Sequence, residues 1–377
     1  MQLTVLSAAY PLVPVSVDTA GGAEQAVAIM DRLLVRAGAR SIVMAAEGSS
    51  VRGRLIPTPS WSGLIHKEVR AWAAREHRRI LKETLRGLKV DVVHFHGLDF
   101  HEYLPNDGVP CLATLHLPPA WYPPEIFTGV SQNLRLNCVS ANQRASCPAS
   151  LVPISTVHHG IDVEGFNVRA AKRDYALALG RICPEKGFHF AIGAAKRAGI
   201  PLIISGRVFP YEDHQGYFER EIAPRLDRTV RFVGPAGFRK KRRLLSAARC
   251  LLLPSTVAET SSLVAMEALA CGTPVIAFKS GALPEIVEHG RTGFIVQSES
   301  EMADAIGRTN QLEAGNCRKS ARERFSAARM AEEYFRIYRE MIADHQDPQR
   351  TIFSCAASLS EGNKRRRLEN RTGRATL

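Results

Sequence analysis

The chain has 377 residues, 45% of them hydrophobic and 23% charged, with a formal net charge of +13 from 50 Lys and Arg against 37 Asp and Glu. That length suits two domains of ordinary soluble composition, and no run of about 18 apolar residues offers a membrane-spanning helix. The positive balance favours anionic partners such as sugar nucleotides, nucleic acid or an acidic membrane surface, without choosing among them.

The start, MQLTVLSAAYPLVP, lacks a basic n-region and breaks at Pro11 and Pro14. It reads as a first strand, Leu3 to Ala8, rather than a signal peptide. Gly21, Gly22, Ala23 and Glu24 then open a helix with Ala26, Ile29, Met30, Leu33 and Leu34 on one face and Gly38 as its stop. Ser41 to Ala45 is a second strand, followed by a polar loop and a helix from about Leu64 to Leu88. That helix carries an apolar stripe through Val69, Trp72, Ala73, Leu81 and Leu85, and Arg75, Arg78, Arg79, Lys82 and Arg86 on another side.

Val90 to Phe95 is a buried strand delivering His94 and His96, whose alternation puts both imidazoles on one face. No third ligand is spaced to complete a zinc site there. Cys111 to Leu115 delivers His116 at a strand's C-terminal end, where open α/β sheets bind ligands. A second alternating region begins with the strand Tyr175 to Leu179 and the glycine-bracketed loop Gly180 to Gly187. Its Arg181 and Lys186 can clamp a diphosphate from two directions, one as a planar fork and one as a point charge. Leu202 to Ser205, Val230 to Val233, Cys250 to Leu253 and Val275 to Phe278 supply further strands. The run Arg239 to Arg243, RKKRR, reads as a solvated helix face.

Between Pro254 and Phe294, Glu259 falls in a loop and Glu267 eight residues later lies inside a helix. Thr260, Ser261 and Ser262 stand where that helix begins, so hydroxyls can cap it and free amides can face a phosphate. A carboxylate further in, at Glu267, can accept hydrogen bonds from a diol such as a ribose. Paired glutamates alone are common on solvated helices. After Phe294 come a helix near Glu301 to Asn310 and the amphipathic Ala327 to Ile342. The basic stretch from Gln346 onward is expected to be disordered.

The eight cysteines, at 111, 138, 147, 183, 250, 271, 317 and 355, include no CxxC and no Cys/His spacing suited to zinc. Reduced thiols are the expectation.

AETSSLVAMEALACGTPVIA followed by GALPEIVEHGRTGF resembles the donor-binding segment of glycosyltransferase family 4, a retaining group with the GT-B fold. GGAE at Gly21 to Glu24, VDVVHFHG, VSANQR, STVHHGIDVEGF and GRICPEKG at Gly180 to Gly187 are similar to further motifs of that family. Two departures stand out. Thr260, Ser261, Ser262 and Leu263 replace a Gly-Phe-Gly-Leu type loop, and His159 replaces the usual Asn. The resemblance implies that Gly21 and Gly22 face the donor phosphate, that His94 and His96 line the cleft, and that His116 contacts the transferred sugar. It implies that Arg181 and Lys186 hold the pyrophosphate and stabilise the leaving charge. Glu259, with amides near Ser261, Ser262, Leu263 and Val264, would orient the sugar, and Glu267 would hold the ribose.

The expected architecture is therefore α/β, two Rossmann-like parallel-sheet domains facing a cleft. Their ranges are 1–160 for the acceptor and 161–326 for the sugar nucleotide, then a crossover helix at 327–345 and a basic tail at 346–377. The expected activity is retaining, metal-independent glycosyl transfer, with no cofactor beyond the nucleotide-sugar co-substrate and an acceptor the sequence leaves open. A cytoplasmic location, with peripheral contact to an anionic membrane through the 64–88 helix, completes the expectation. Rival readings are a sugar-nucleotide epimerase of the same fold, a nicotinamide oxidoreductase and a non-enzymatic nucleic-acid binder. The second lacks G-x-G-x-x-G after a strand, and the third lacks an aromatic-interleaved basic module.

Overall fold

Apolar runs of four or five residues, each followed by a turn and a helix, bury both faces of a strand and so favour parallel sheets covered by helices. The computed structural model, which describes residues 2–347 except 20, 107, 130 and 132, has two such sheets. The first contains β1 (Thr4–Ala8), β2 (Arg40–Ala46), β3 (Arg54–Thr58), β4 (Val92–Phe95), β5 (Cys111–Leu115), β6 (Leu134–Cys138) and β7 (Ile154–Thr156), in the order β3-β2-β1-β4-β5-β6-β7. The second contains β8 (Ala176–Leu179), β9 (Leu202–Ser205), β10 (Val230–Phe232), β11 (Cys250–Leu253), β12 (Val275–Phe278) and β13 (Gly293–Val296), in the order β10-β9-β8-β11-β12-β13. Every pairing described is parallel. The chain reverses its direction of travel across the sheet between β1 and β4, and again between β8 and β11. Each reversal opens a crevice at the strands' C-terminal ends, which is where ligands bind in open α/β sheets.

Four strands had no clear signal. In β3, Arg54 and Pro57 break the apolar run, and the strand lies at the sheet's edge, where a residue without an N–H is tolerated. In β6 the residues Arg135 and Asn137 break the apolar run, β7 is the three residues IST, and β13 opens on Gly293. The second-domain strands β8, β9, β11 and β12 fall where the apolar runs predict them, to within a residue.

The Ala327–Gln346 helix returns to the first domain. Met330, Tyr334, Ile337, Tyr338 and Met341 pack with Val5, Ile29, Met30, Leu34 and Val92 in one buried cluster. Its hydroxyls also enter the sheet: the Tyr338 Oη lies 2.7 Å from His94 Nδ1, and Asn137 Nδ2 donates to Tyr334 Oη at 3.0 Å. Beside this crossing, Ile161 N donates to Phe325 O at 2.8 Å and Ala327 N to Ile161 O at 2.9 Å, so both interdomain passages run together. The helix runs through Gln346, the residue at which the basic stretch was expected to begin. Residues 348–377 lie outside the described ones.

Candidate active site

The loop after β8 carries both predicted cations. Pro184–Lys186 forms a single 3-10 turn that ends at Gly187, whose φ of 60° is left-handed. A Cβ there would sit 2.2 Å from the carbonyl oxygen of Pro254, so only glycine lets this loop lie against the chain leaving β11. Thr256 N donates to the Glu185 carbonyl at 2.9 Å and ties the two loops together. This brings Lys186 Nζ to 2.5 Å from Glu259 Oε1, which also accepts from Ser255 Oγ. Glu259 is held from the other side by Gly281, where a Cβ would come within 2.2 Å of the Glu259 carbonyl oxygen. The two charges predicted to meet donor phosphate and donor sugar thus rest on each other.

Ser262 caps the Leu263–Ala270 helix, its hydroxyl accepting from Ala265 N at 3.3 Å as the sequence predicts. Amides at Leu263 and Val264 therefore stay free to face an anion. Ser261 Oγ is buried and finds no hydrogen-bond partner among the described residues. Thr260 Oγ1 crosses to the first domain and donates to the His116 carbonyl at 2.7 Å.

One turn inside this helix, Glu267 is only 4% exposed and pairs with Lys241 Nζ at 2.5 Å. Burial pushes its carboxyl above the usual range, opposed by the neighbouring ammonium. Lys241 belongs to the basic run read as a solvated face, and that reading is corrected here. Within the Phe238–Ala247 helix, Lys241 is 6% exposed and lies over the Phe166 ring, and Lys240 donates to Val233 O at 2.7 Å. Arg242 reaches Gly165 O at 3.1 Å, which leaves Arg239 and Arg243 as the exposed pair. Helical geometry turns residue three of five consecutive cations inward, a fact that composition hides.

Across the cleft the first domain presents imidazoles. His94 Nε2 lies 2.7 Å from Thr114 Oγ1, His96 Nδ1 lies 3.0 Å from His116 Nε2, and His116 Nδ1 lies 3.3 Å from His159 Nε2. The His116 and His159 rings stack 9° from parallel. Burial, reinforced by neighbouring imidazoles, holds His94, His96 and His116 well below the ordinary histidine range. His159 is pushed down to about 4, mainly by burial and further by His158 and Arg329. These rings are neutral at pH 7. Both ring nitrogens of His116 are already engaged, so a sugar hydroxyl must displace one of those partners. His94 serves the crossover helix rather than the cleft.

Gly22 meets the second domain at the start of the first helix, where a Cβ would lie 3.8 Å from Leu263 Cδ1, whereas a Cβ on Gly21 would meet the Glu24 side chain of its own helix. Glu24, read from sequence only as a helix opener, is 8% exposed. Burial raises its carboxyl, and its own backbone and the Arg181 guanidinium draw it back. Its place in the Gly-Gly-x-Glu stretch was the signal. Lys241 carried none, and the motifs that named His96 and His159 gave no sign of their pairing with His116, because those partners lie far off in sequence.

Among solved structures, the chain resembles AviGT4, a glycosyltransferase involved in avilamycin A biosynthesis, at 25% identity and a TM-score of 0.69, covering 90% of this chain and 98% of that one. It resembles sucrose-phosphate synthase from Thermosynechococcus elongatus at 19% identity and a TM-score of 0.74, covering 90% and 99%. Anabaena HepE, described in complex with UDP and glucose, matches at 17% identity and a TM-score of 0.66, covering 89% and 99%. The fold is GT-B. Residues 173–311, which hold the second sheet, match the family described as Glycosyl transferases group 1. D-inositol 3-phosphate glycosyltransferase of Mycobacteroides abscessus is 32% identical over 217 residues, 52% of this chain and 48% of the relative. The same-named protein of Mycobacterium tuberculosis strain H37Ra is 33% identical over 180 residues, 43% and 37%. The chain spans less than half the length of these relatives. No helix among the described residues is long and apolar enough to cross a membrane.

Proposed function

We propose that the chain is a retaining glycosyltransferase of family 4, moving a sugar from a nucleotide-sugar donor to a hydroxyl acceptor without a divalent cation on the diphosphate. The observation that carries this reading is the contact of Lys186 with Glu259 ahead of the capped Leu263–Ala270 helix, at the switch point between β8 and β11, with Arg181 on the same loop as Lys186. Two cations and a helix N-terminus supply the positive field that a metal supplies elsewhere. In the proposed reaction the bond from the anomeric carbon to the diphosphate oxygen breaks, and the acceptor oxygen bonds to that carbon on the same face. The departing phosphate takes the acceptor's proton. Arg181 and Lys186 stabilise the charge that grows on the leaving oxygen, and Glu259, released from Lys186, orients sugar hydroxyls.

Glu267 is assigned to the ribose, held in place by Lys241. HepE is described with UDP and glucose, which makes UDP-sugars the first donors to try. The inositol phosphate relatives and the net charge of +13 favour an anionic polyol phosphate as acceptor. Contact with anionic lipid through the Lys67–Gly87 helix remains part of the proposal. Incubating UDP-glucose with and without a polyol phosphate, and following nucleotide release and product mass, tests the reading. Acceptor-dependent release of UDP is the expected result. An isomerised sugar formed without acceptor would favour the epimerase reading instead.

A further inference from the structure

The diphosphate loop holds more than its two cations. Cys183 and Glu185 lie between Arg181 and Lys186, and from the short Glu212–Tyr217 helix His214 reaches the same spot. One ligand atom from each, a sulfur, a carboxylate oxygen and an imidazole nitrogen, lies within 4.8 Å of the others. Cys183 is 1% and His214 6% exposed, and Glu185 is half-buried, so the cluster is largely withdrawn from water. His214 Nδ1 is buried and finds no hydrogen-bond partner among the described residues. The rings of Tyr211 and Phe209 wall this imidazole, at centroid distances of 5.1 and 6.4 Å. A buried, unpartnered ring nitrogen is costly unless something binds it.

We propose that Cys183, Glu185 and His214 form a metal site for a borderline cation such as Zn²⁺, which clips the diphosphate loop to the Glu212–Tyr217 helix. A mixed S, N and O donor set is the kind that zinc accepts. Tetrahedral zinc with bonds of about 2.0–2.3 Å needs its ligand atoms roughly 3.5 Å apart, so the cluster has to draw in by only about 1 Å. Ligation replaces the Cys183 S–H proton with the cation. Three protein ligands leave a fourth position for water. The separation of these ligands, two residues and then 29, matches no zinc motif, which is why the cysteine pattern predicted no metal.

The cation holds a loop and performs no step of the transfer. Its effect reaches the donor groups through one residue. Glu185 offers its side chain to the site and its carbonyl to Thr256 N, on the segment that leads to Glu259. The clip's consequence for donor binding rests on the proposed function, but metal binding itself does not.

The untagged full chain, stripped by chelator, is loaded with Zn²⁺ alone, desalted and analysed for metal, with Co²⁺ used in parallel for its thiolate charge-transfer absorption. The expected result is about one zinc per parent chain, close to none in Cys183→Ser and His214→Gln, and an undiminished content in the control Cys147→Ser. The cobalt band should be present in the parent and lost in Cys183→Ser. Circular dichroism checks folding, and if Cys183→Ser fails to fold, His214→Gln and the parent's cobalt spectrum decide. A parent that retains no metal, or variants that retain as much as the parent, would overturn the proposal. Zinc retention by a chain that binds no sugar nucleotide would leave the clip standing and remove the donor reading, and the reverse result would do the opposite.

Discussion

The two walls of the cleft solve opposite electrostatic problems. The second domain's wall is built from opposite charges in contact, Lys186 with Glu259 and Lys241 with Glu267, around the open N-terminus of a helix. The first domain's wall is built from imidazoles that burial and mutual repulsion keep neutral. On the proposed function, a diphosphate at the second wall would meet cations already fixed by carboxylates, whereas an acceptor at the first wall would meet donors and acceptors without net charge. The difference shows that the positive balance of the chain, spread over its whole length, becomes specific only where a partner carboxylate fixes a cation's position.

The largest effect should come from breaking the buried pair on the charged wall. Glu267→Ala leaves Lys241 buried and uncompensated, which costs about 3–5 kcal/mol of stability and, if the ribose assignment is right, weakens nucleotide binding as well. A Glu267→Leu/Lys241→Met double variant should recover most of the stability and none of the nucleotide affinity. Equal urea midpoints for Glu267→Ala and the parent would show that the pair is not stabilising.

Next in size is the loss of one cation of the diphosphate loop. Arg181→Ala or Lys186→Ala should lower turnover by roughly 10²–10³, the scale for removing one preorganised donor to developing charge, while donor affinity changes less. Turnover should need no added Mg²⁺ or Mn²⁺, and a chelator that strips the Cys183–Glu185–His214 site should weaken donor binding without abolishing turnover. Activity abolished by EDTA and restored by Mn²⁺ would place a metal on the diphosphate and end the comparison with a metal-supplied field.

The neutral wall can be probed by pH. An unfolded histidine takes up a proton near pH 6.5, whereas folded His159 does so only near 4, so between these values the unfolded chain binds more protons. The stability that His159 contributes is complete above pH 6.5 and is lost as pH falls towards 4, by up to about 3 kcal/mol. Denaturant midpoints measured from pH 7.5 to 4.5 should fall in that window, and less steeply in His159→Gln. An identical slope in that variant would mean the ring is already charged or solvated in the native state.

The smallest effect concerns the outer face of the first domain. Arg79 is bound to Glu76 and Glu83, and Arg78 lies 3.8 Å from Glu102, so part of the basic stripe is already neutralised. Each remaining cation near an anionic bilayer contributes about 1 kcal/mol. Arg75→Ala/Arg79→Ala/Lys82→Ala should reduce co-sedimentation with anionic vesicles at low salt and leave neutral vesicles unaffected. Equal partitioning of parent and variant would remove this helix from the proposed membrane contact.

The sequence by itself determined the alternation of strand and helix, because a strand buried on both faces must be an apolar run such as CLLL or VIAF, and that pattern is local. It also marked the loop carrying Arg181 and Lys186, since Gly187 ends it with a left-handed φ of 60° that few other residues adopt. Ser262 was readable as a cap because capping is also a local demand. Only the tertiary structure decided which charges and rings meet. Lys241 looked like its neighbours until the helix turned it towards Glu267. His96 and His116 became partners because β4 lies beside β5, and His159 joined them from the interdomain linker. His214 lies near Cys183 and Glu185 although a helix and a strand separate them in sequence. Local patterns follow from burial and backbone geometry within one element. Pairings across elements follow from strand order and packing, which one stretch of sequence does not encode.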